Sequence, residues 1–149
     1  SHNMAGWRMG MLCGAKERID EVIRFKSNMD SGMFLPAQLA ASKALSLEEE
    51  WHDEVNKIYA ARRTKVFELL DLLNCTYSTN QVGMFVWAKT PFLNGHGKSG
   101  YEVSDEVLYN SNVFITPGGI FGTQGDGFIR VSLCGSIERF EEAIKRIKN

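Results

Sequence analysis

A helical pattern that continues through about 28 residues, over residues 46–74, constrains the fold of this chain more than any other feature. Residues 46–49 have the form of a capping box, Ser-x-x-Glu, and are expected to begin the helix. At 1.5 Å per residue the helix would be about 42 Å long. One small domain does not need a helix of that length, so we expect this one to bridge two domains. Its predicted apolar face consists of Trp51, Val55, Ile58, Tyr59, Val66, Leu69, Leu70 and Leu73.

The residues on either side of this helix predict different kinds of structure. Before it, the apolar run 7–13 indicates a short buried strand, and two short helices are expected, one around 19–25 and one that follows Pro36. After it, strands and helices alternate, which is typical of an α+β unit. The predicted elements there are strands at 82–89, 113–116 and 128–134, a short helix capped by Ser104, a mobile polar loop at 94–100 and a last helix from Ser136.

Composition excludes several classes of protein. The chain has 149 residues, 17 basic and 18 acidic, so its net charge of −1 gives no field that would attract nucleic acid or an anionic membrane. The apolar runs are too short to span a membrane. Three cysteines, Cys13, Cys75 and Cys134, lack the spacing of a disulfide framework or a metal site. We therefore expect a cytoplasmic protein without a bound metal.

Two arginines are the candidate binding residues, because each lies in an otherwise apolar or glycine-containing segment. Arg8 is found in Gly-Trp-Arg-Met-Gly, and Arg130 in Phe-Ile-Arg-Val-Ser. A guanidinium in such surroundings needs an anionic partner. That partner is either a carboxylate of the chain itself, in an internal salt bridge, or the phosphate or carboxylate of a ligand. The residues alone favour the salt bridge but leave both alternatives open.

Other polar residues give weaker signals. His2, His52 and His96 are predicted at the surface, and no nucleophilic triad or pair of catalytic carboxylates has an interpretable spacing. The glycine-rich stretch 118–127 lacks the lysine of a phosphate-binding loop and is predicted to form tight turns.

Three blocks of the sequence match the motifs of one known family, in the same order along the chain. The first block, residues 1–10, has Asn3, Met4, Gly6, Arg8, Met9 and Gly10 at the positions that the motif specifies. The second is Gly-Met-Phe-Val-Trp-Ala at 83–88, and the third runs from Thr-Pro-Gly-Gly-Ile-Phe-Gly at 116–122 to Gly-Phe-Ile-Arg-Val-Ser at 127–132. Together these blocks resemble the class I and II aminotransferases, at the part of the enzyme that follows the Schiff-base lysine.

The resemblance implies roles for the two arginines. Arg8 matches the family's arginine that binds the phosphate of pyridoxal 5′-phosphate. Arg130 matches the arginine that binds the α-carboxylate of the amino acid substrate and thereby orients its Cα–H bond. The Schiff-base lysine would stand immediately before Ser1. The chain is therefore expected to contain no catalytic residue and to be inactive by itself.

The resemblance also implies the architecture. It predicts an α/β, pyridoxal-phosphate-dependent transferase-like fold of which only the C-terminal portion is present, with an α+β small domain. Residues 1–45 would be a remnant of the large cofactor-binding domain, 46–74 the inter-domain helix and 75–149 the small domain. The expected partners are the missing N-terminal part of the same protein and a second copy, in a homodimer.

The activity implied is the transfer of an amino group between an α-amino acid and a 2-oxo acid. Two alternatives stay open: a pyridoxal-phosphate-dependent lyase or synthase of the same fold, and a non-catalytic fragment or interaction module that lacks the lysine.

Overall fold

The structure, a computed structural model, describes residues 2–93 and 96–149, apart from the side chains of residues 92, 93 and 96. The chain divides into two compact units, Ser1–His52 and Asp53–Asn149, and each is described below by itself. The predicted domain boundaries at 45 and 74 remain a prediction. Among the described residues, no helix combines the length and the apolar character that crossing a membrane requires.

The described residues of the first unit contain two complete helices and almost no core. Helix α1, Lys16–Lys26, carries exposed ion pairs one turn apart, such as Arg18 with Glu21. Helix α2, Leu35–Leu45, has Pro36 in its first turn, as the sequence predicts. Ala37 is the one apolar residue of the described part of this unit that is buried. Packing within the unit therefore stabilises it very little.

The strand predicted at residues 7–13 is wrong for this structure. The segment is exposed and irregular, and a turn precedes it in which the Trp7 N–H donates to the Met4 carbonyl over 3.2 Å. A strand exists only where a neighbouring strand completes its hydrogen bonds, and none of the described residues pairs with this segment.

The long helix is confirmed, with different ends. Helix α3, Glu49–Leu72, has 24 residues and is about 36 Å long. Ser46 does not cap it, contrary to the sequence prediction, because its hydroxyl donates to the Lys43 carbonyl and so closes α2. At the other end Asn74 takes a left-handed conformation with φ 54°, where asparagine is one of the residues that tolerate it.

The second unit is an antiparallel sheet with helices against one face. Its four strands lie in the order β1-β2-β6-β5, and a two-stranded hairpin, β3-β4, stands apart from them. The strands are β1 Thr76–Tyr77, β2 Phe85–Lys89, β3 Phe92–Leu93, β4 His96–Gly97, β5 Thr116–Pro117 and β6 Phe128–Ser132. Helices α4, Gly100–Ser111, and α5, Ile137–Lys148, complete the α+β unit that the sequence predicts.

Side chains along the two central strands, β2 and β6, point alternately to the two faces of the sheet. Val86 and Ala88 in β2 and Ile129 in β6 are at most 1% exposed and point toward the helices. Helices α3, α4 and α5 complete the core with Val66, Leu69, Leu70, Val103, Val107, Phe140 and Ile144. The residues between the core positions, including Trp87 and Arg130, therefore occupy the opposite face.

Helix α4 begins earlier than predicted, and a different serine caps it. Ser99 and Glu102 form a capping box in which each side chain accepts from the other residue's backbone N–H. Ser104, the predicted cap, is instead buried within the helix, and its hydroxyl donates to the Ile115 carbonyl. The predicted polar loop at 94–100 falls partly on Asn94 and Gly95, which lie outside the described residues.

The three strands predicted after the long helix are present, but the edge strand is shorter and displaced. Of the strand predicted at 113–116 only Thr116 lies in β5, and the opposite edge strand, β1, also has two residues. Pro117 occupies β5, where its missing N–H disturbs the sheet least. The last helix is confirmed, with Ser136 as N-cap and Phe140 and Ile144 buried.

Candidate functional site

The face of the sheet away from the core places Arg130 among aromatic side chains. In the antiparallel register, Trp87 of β2 is opposite Arg130 of β6, and Thr116 of β5 is opposite Arg130 on the other side. Phe85 lies two residues from Trp87 on the same face, which makes it a diagonal neighbour of Arg130. Pleating therefore brings one guanidinium and two aromatic rings to the same surface.

Two rings flank the guanidinium of Arg130. Its Cζ lies 4.2 Å from the centroid of the Phe85 ring and 4.1 Å from the centroid of the Phe121 ring. Both distances are well within the range in which a cation is attracted by the negative face of an aromatic ring. The Cζ atom of Arg130 thus lies over the faces of both rings.

No carboxylate of the described residues forms an ion pair with Arg130. The internal salt bridge, which the residues alone favour, is therefore wrong for Arg130 within the described part of the chain. Aromatic rings attract a cation but provide no acceptor for N–H donors. The edge of this half-buried guanidinium is consequently available to an external anion.

The backbone of β2 at this site is fixed by a side chain. Gln81 Oε1 accepts from the Trp87 N–H and Gln81 Nε2 donates to the Trp87 carbonyl, both over 2.8 Å. The amide of Gln81 thus completes the hydrogen bonds at Trp87, beyond the two residues with which β1 pairs. The Trp87 ring in turn contacts the edge of Phe121, with centroids 5.5 Å apart and planes at 67°.

Arg8 lies in the first unit, and its side chain is exposed. None of the described residues offers it a salt bridge or a hydrogen bond, so an internal salt bridge is wrong here too. Its φ is 52°, in the left-handed region, and Gly6 nearby has φ 90°. An arginine there costs about 1–3 kcal/mol of backbone strain, and such strain is concentrated at binding sites.

Two of the candidate histidines lie together in the first unit. His2 stacks on Trp51 with centroids 5.9 Å apart, and His52 meets His2 edge-on at 5.0 Å, so His52 is half-buried in a ring cluster rather than fully exposed. The side chain of His96 lies outside the described residues. Within the described ranges, no three histidine, cysteine or acidic side chains are grouped as a metal would require.

The three cysteines are free thiols in this structure, and they differ in burial. Cys13 and Cys134 are exposed, whereas Cys75 is buried in the segment between α3 and β1. Burial raises the pKa of the Cys75 thiol from 9.0 to about 11, because the thiolate would lose its hydration. Cys75 is therefore a packing residue of the core.

Sequence reasoning missed the two rings that flank Arg130. Phe85 and Phe121 lie in the second and third of the matching sequence blocks, but nothing in either block distinguishes them from core residues. An informative signal was available in β2, since Phe85 and Trp87 share the strand face opposite to Val86 and Ala88. Phe121 has no such signal, because it lies on an irregular turn whose path depends on packing.

Comparison with known proteins identifies the family. The family model described as aminotransferase class I and II matches residues 1–147. The chain belongs to the class I and II aminotransferases. This result confirms the resemblance of the three sequence blocks and the predicted fold class, the C-terminal portion of a pyridoxal-phosphate-dependent transferase-like fold.

Aminotransferases also appear among the most similar individual proteins. An LL-diaminopimelate aminotransferase of Maridesulfovibrio salexigens is 37% identical over 147 residues, which are 99% of this chain and 37% of that protein. The substrate-bound structure of BacF from Bacillus subtilis is 33% identical with a TM-score of 0.83, over 98% of this chain and 37% of BacF. An aromatic aminotransferase from Pyrococcus horikoshii OT3 is 26% identical, with a TM-score of 0.82 over 97% of this chain and 38% of its own. The chain thus spans somewhat more than a third of the length of these proteins.

Proposed function

We propose that the protein to which this chain belongs transfers an amino group between an α-amino acid and a 2-oxo acid, with pyridoxal 5′-phosphate as cofactor. The proposal depends on one observation: the Arg130 guanidinium lies over two aromatic rings and has no ion pair with a carboxylate of the described residues. Membership of the aminotransferase family supports the choice of reaction.

Arg130 is proposed to bind the α-carboxylate of the substrate. A guanidinium edge and a carboxylate form two parallel hydrogen bonds in one plane, which fixes both the distance and the orientation of the ligand. The two rings next to the guanidinium displace part of its surrounding water, and a lower local dielectric strengthens the ion pair. Arg130 thus acts by orienting the substrate and not by transferring a proton.

Arg8 is proposed to bind the phosphate of the cofactor. The residues present fit this group, because an exposed guanidinium without a partner in the described chain can donate several charge-assisted hydrogen bonds to a dianion. When bound, pyridoxal phosphate supplies the electron sink for chemistry at the substrate Cα. The strained backbone of Arg8 is the further observation that favours a binding role.

The proposed substrate class is the α-amino acids as a group. Arg130 would contact the carboxylate that all of them share and would leave the side chain to other parts of the protein. Relatives named for LL-diaminopimelate and for aromatic amino acids both resemble this chain. The common feature of these donors is the α-amino acid group itself.

A homodimer is also proposed. In the first unit large apolar side chains are exposed, including Met11 at 85% and Phe34 at 74%. Exposed apolar surface of this extent favours coverage by the rest of the protein or by a second copy. Light scattering of the full-length protein tests this. We expect a mass twice that of one full-length polypeptide, and the mass of a monomer would contradict the proposal.

The reaction is tested with the full-length protein and an α-amino acid donor. We expect loss of the donor only when a 2-oxo acid acceptor is present, and formation of the new amino acid in equal amount. Turnover that needs no acceptor would contradict the proposal in favour of a lyase or synthase. Binding of pyridoxal phosphate is measured by absorbance between about 300 and 500 nm. Failure to bind it would indicate a non-catalytic module.

A further inference from the structure

Beyond the roles of the two arginines, the second unit contains a built support for Arg130. Phe121 reaches the guanidinium from a turn between β5 and β6, and Phe85 reaches it from β2. Phe85 is 37% exposed and Phe121 is 50% exposed, so neither ring belongs to the core. Burial in the core therefore does not explain why these two rings lie where they do.

The turn that carries Phe121 has little freedom. Gly118 and Gly125 lie so close that a Cβ added to Gly118 would be 2.5 Å from the Gly125 carbonyl oxygen, and one added to Gly125 would be 2.2 Å from the Gly118 carbonyl oxygen. Such distances are below any contact that a real Cβ makes. The turn therefore keeps one conformation only because both positions are glycine.

Neighbouring elements hold the same turn from outside. A Cβ on Gly119 would meet the ring of Tyr101 in α4 at 2.5 Å, and the Gly100 N–H donates to the Asp126 carbonyl over 2.6 Å. Trp87 packs against Gly118 and contacts the ring of Phe121. The position of Phe121 is thus set by the sheet and α4 together.

We propose that Phe85 and Phe121 are positioning residues, which hold the plane of the Arg130 guanidinium so that its edge meets the substrate carboxylate in one orientation. Without the rings, the long arginine side chain would sample several rotamers and would lose conformational entropy on binding. The rings remove that freedom before the substrate arrives. The proposal rests on the proposed function, because it presumes that Arg130 binds the carboxylate.

The test measures KM for the amino acid and kcat in the full-length protein, with the variants F121L and F85L. We expect each variant to raise KM about 3- to 10-fold with a smaller effect on kcat, as cation–π contacts of this kind allow. F121Y and F85Y keep the ring and should restore KM. F114L is the matched control, because Phe114 is 67% exposed and has no ring contact with Arg130.

A double-mutant cycle separates a positioning role from a general effect on folding. If the rings act through Arg130, F121L and F85L should change KM little further in an R130A background. Equal effects with and without Arg130, or no change of KM in the single variants, would overturn the proposal. The proposed function fails separately, if R130A alone leaves KM unchanged. Should F121L not fold, F85L in β2 decides the question.

Discussion

Trp87 and Arg130 are opposite each other on β2 and β6, on the face of the sheet that does not contact the core. The Trp87 ring contacts Phe121, and Phe121 contacts the Arg130 guanidinium, so one cross-strand pair is linked twice, through the backbone and through the rings. The register of two strands therefore determines where a candidate carboxylate-binding group lies.

Replacement of Arg130 by alanine should affect the substrate much more than the cofactor. We expect kcat/KM for the amino acid to fall about 100-fold or more, since a bidentate charge-assisted pair is lost. The affinity for pyridoxal phosphate, measured by absorbance titration, should stay within a factor of about two. R139A is the control, because Arg139 is an exposed arginine of the same unit. An equal loss of both affinities would show that the role of Arg130 is different.

Replacement of Arg8 by alanine should have the reverse effect. We expect the affinity for pyridoxal phosphate to fall about 10- to 100-fold, as one charge-assisted contact to the phosphate disappears. At saturating cofactor, KM for the amino acid should be nearly unchanged. Arg18, an exposed arginine of α1 that is paired with Glu21, provides the control variant R18A. Unchanged cofactor affinity in R8A would refute the assignment.

The glycine packing of the turn predicts that G118A is poorly tolerated. Its Cβ would lie 2.5 Å from the Gly125 carbonyl oxygen and 2.9 Å from the Trp87 ring, so the turn must move. We expect a loss of about 1–3 kcal/mol in the free energy of unfolding, together with a higher KM for the amino acid. The matched control is G127A, since no atom lies within 4 Å of a Cβ there. A G118A protein as stable as G127A would contradict this packing.

Burial of Cys75 predicts a pH dependence of stability. The pKa of this thiol is about 11 in the folded protein and 9.0 when exposed. From pH 9 upward the unfolded chain releases the proton and the folded chain keeps it, so stability falls as the pH rises from 9 to 11. Urea unfolding of the full-length protein and of C75A should give a difference in stability that shrinks over this range. A constant difference would mean that the thiol titrates alike in both states.

The sequence predicted elements whose apolar residues repeat strongly, and it failed where hydrogen-bonding partners decide. Helices α3 and α5 follow from their periodicity, as Val66, Leu70 and Ile144 indicate. The starts of α3 and α4 did not follow, because Ser46 donates to α2 and Ser99 caps α4. A serine before a helical run can bond in either direction, and only the surrounding backbone determines which.

The same limit explains what was found of the candidate site. Arg8 and Arg130 could be selected from sequence, because a charge within an apolar segment requires a partner. The groups that contact these arginines could not be predicted from sequence, since such contacts depend on distances between segments that are far apart along the chain. Phe121 is 36 residues from Phe85, and it reaches the same guanidinium through a turn whose packing involves Gly118, Gly125 and neighbouring elements.

The shortness of the two edge strands of the second unit, β1 and β5, limits pairing of this sheet with strands of other molecules. Each edge presents only two residues, and Pro117 removes one of the few N–H groups that a foreign strand could use. Stacking of further strands, the first step toward fibrils, finds almost no template at either margin. A sheet face that carries Phe85, Trp87 and Phe121 would otherwise favour such association. Because both edge strands are short and one contains Pro117, the sheet can expose aromatic rings on one face and still offer little backbone for pairing at its edges.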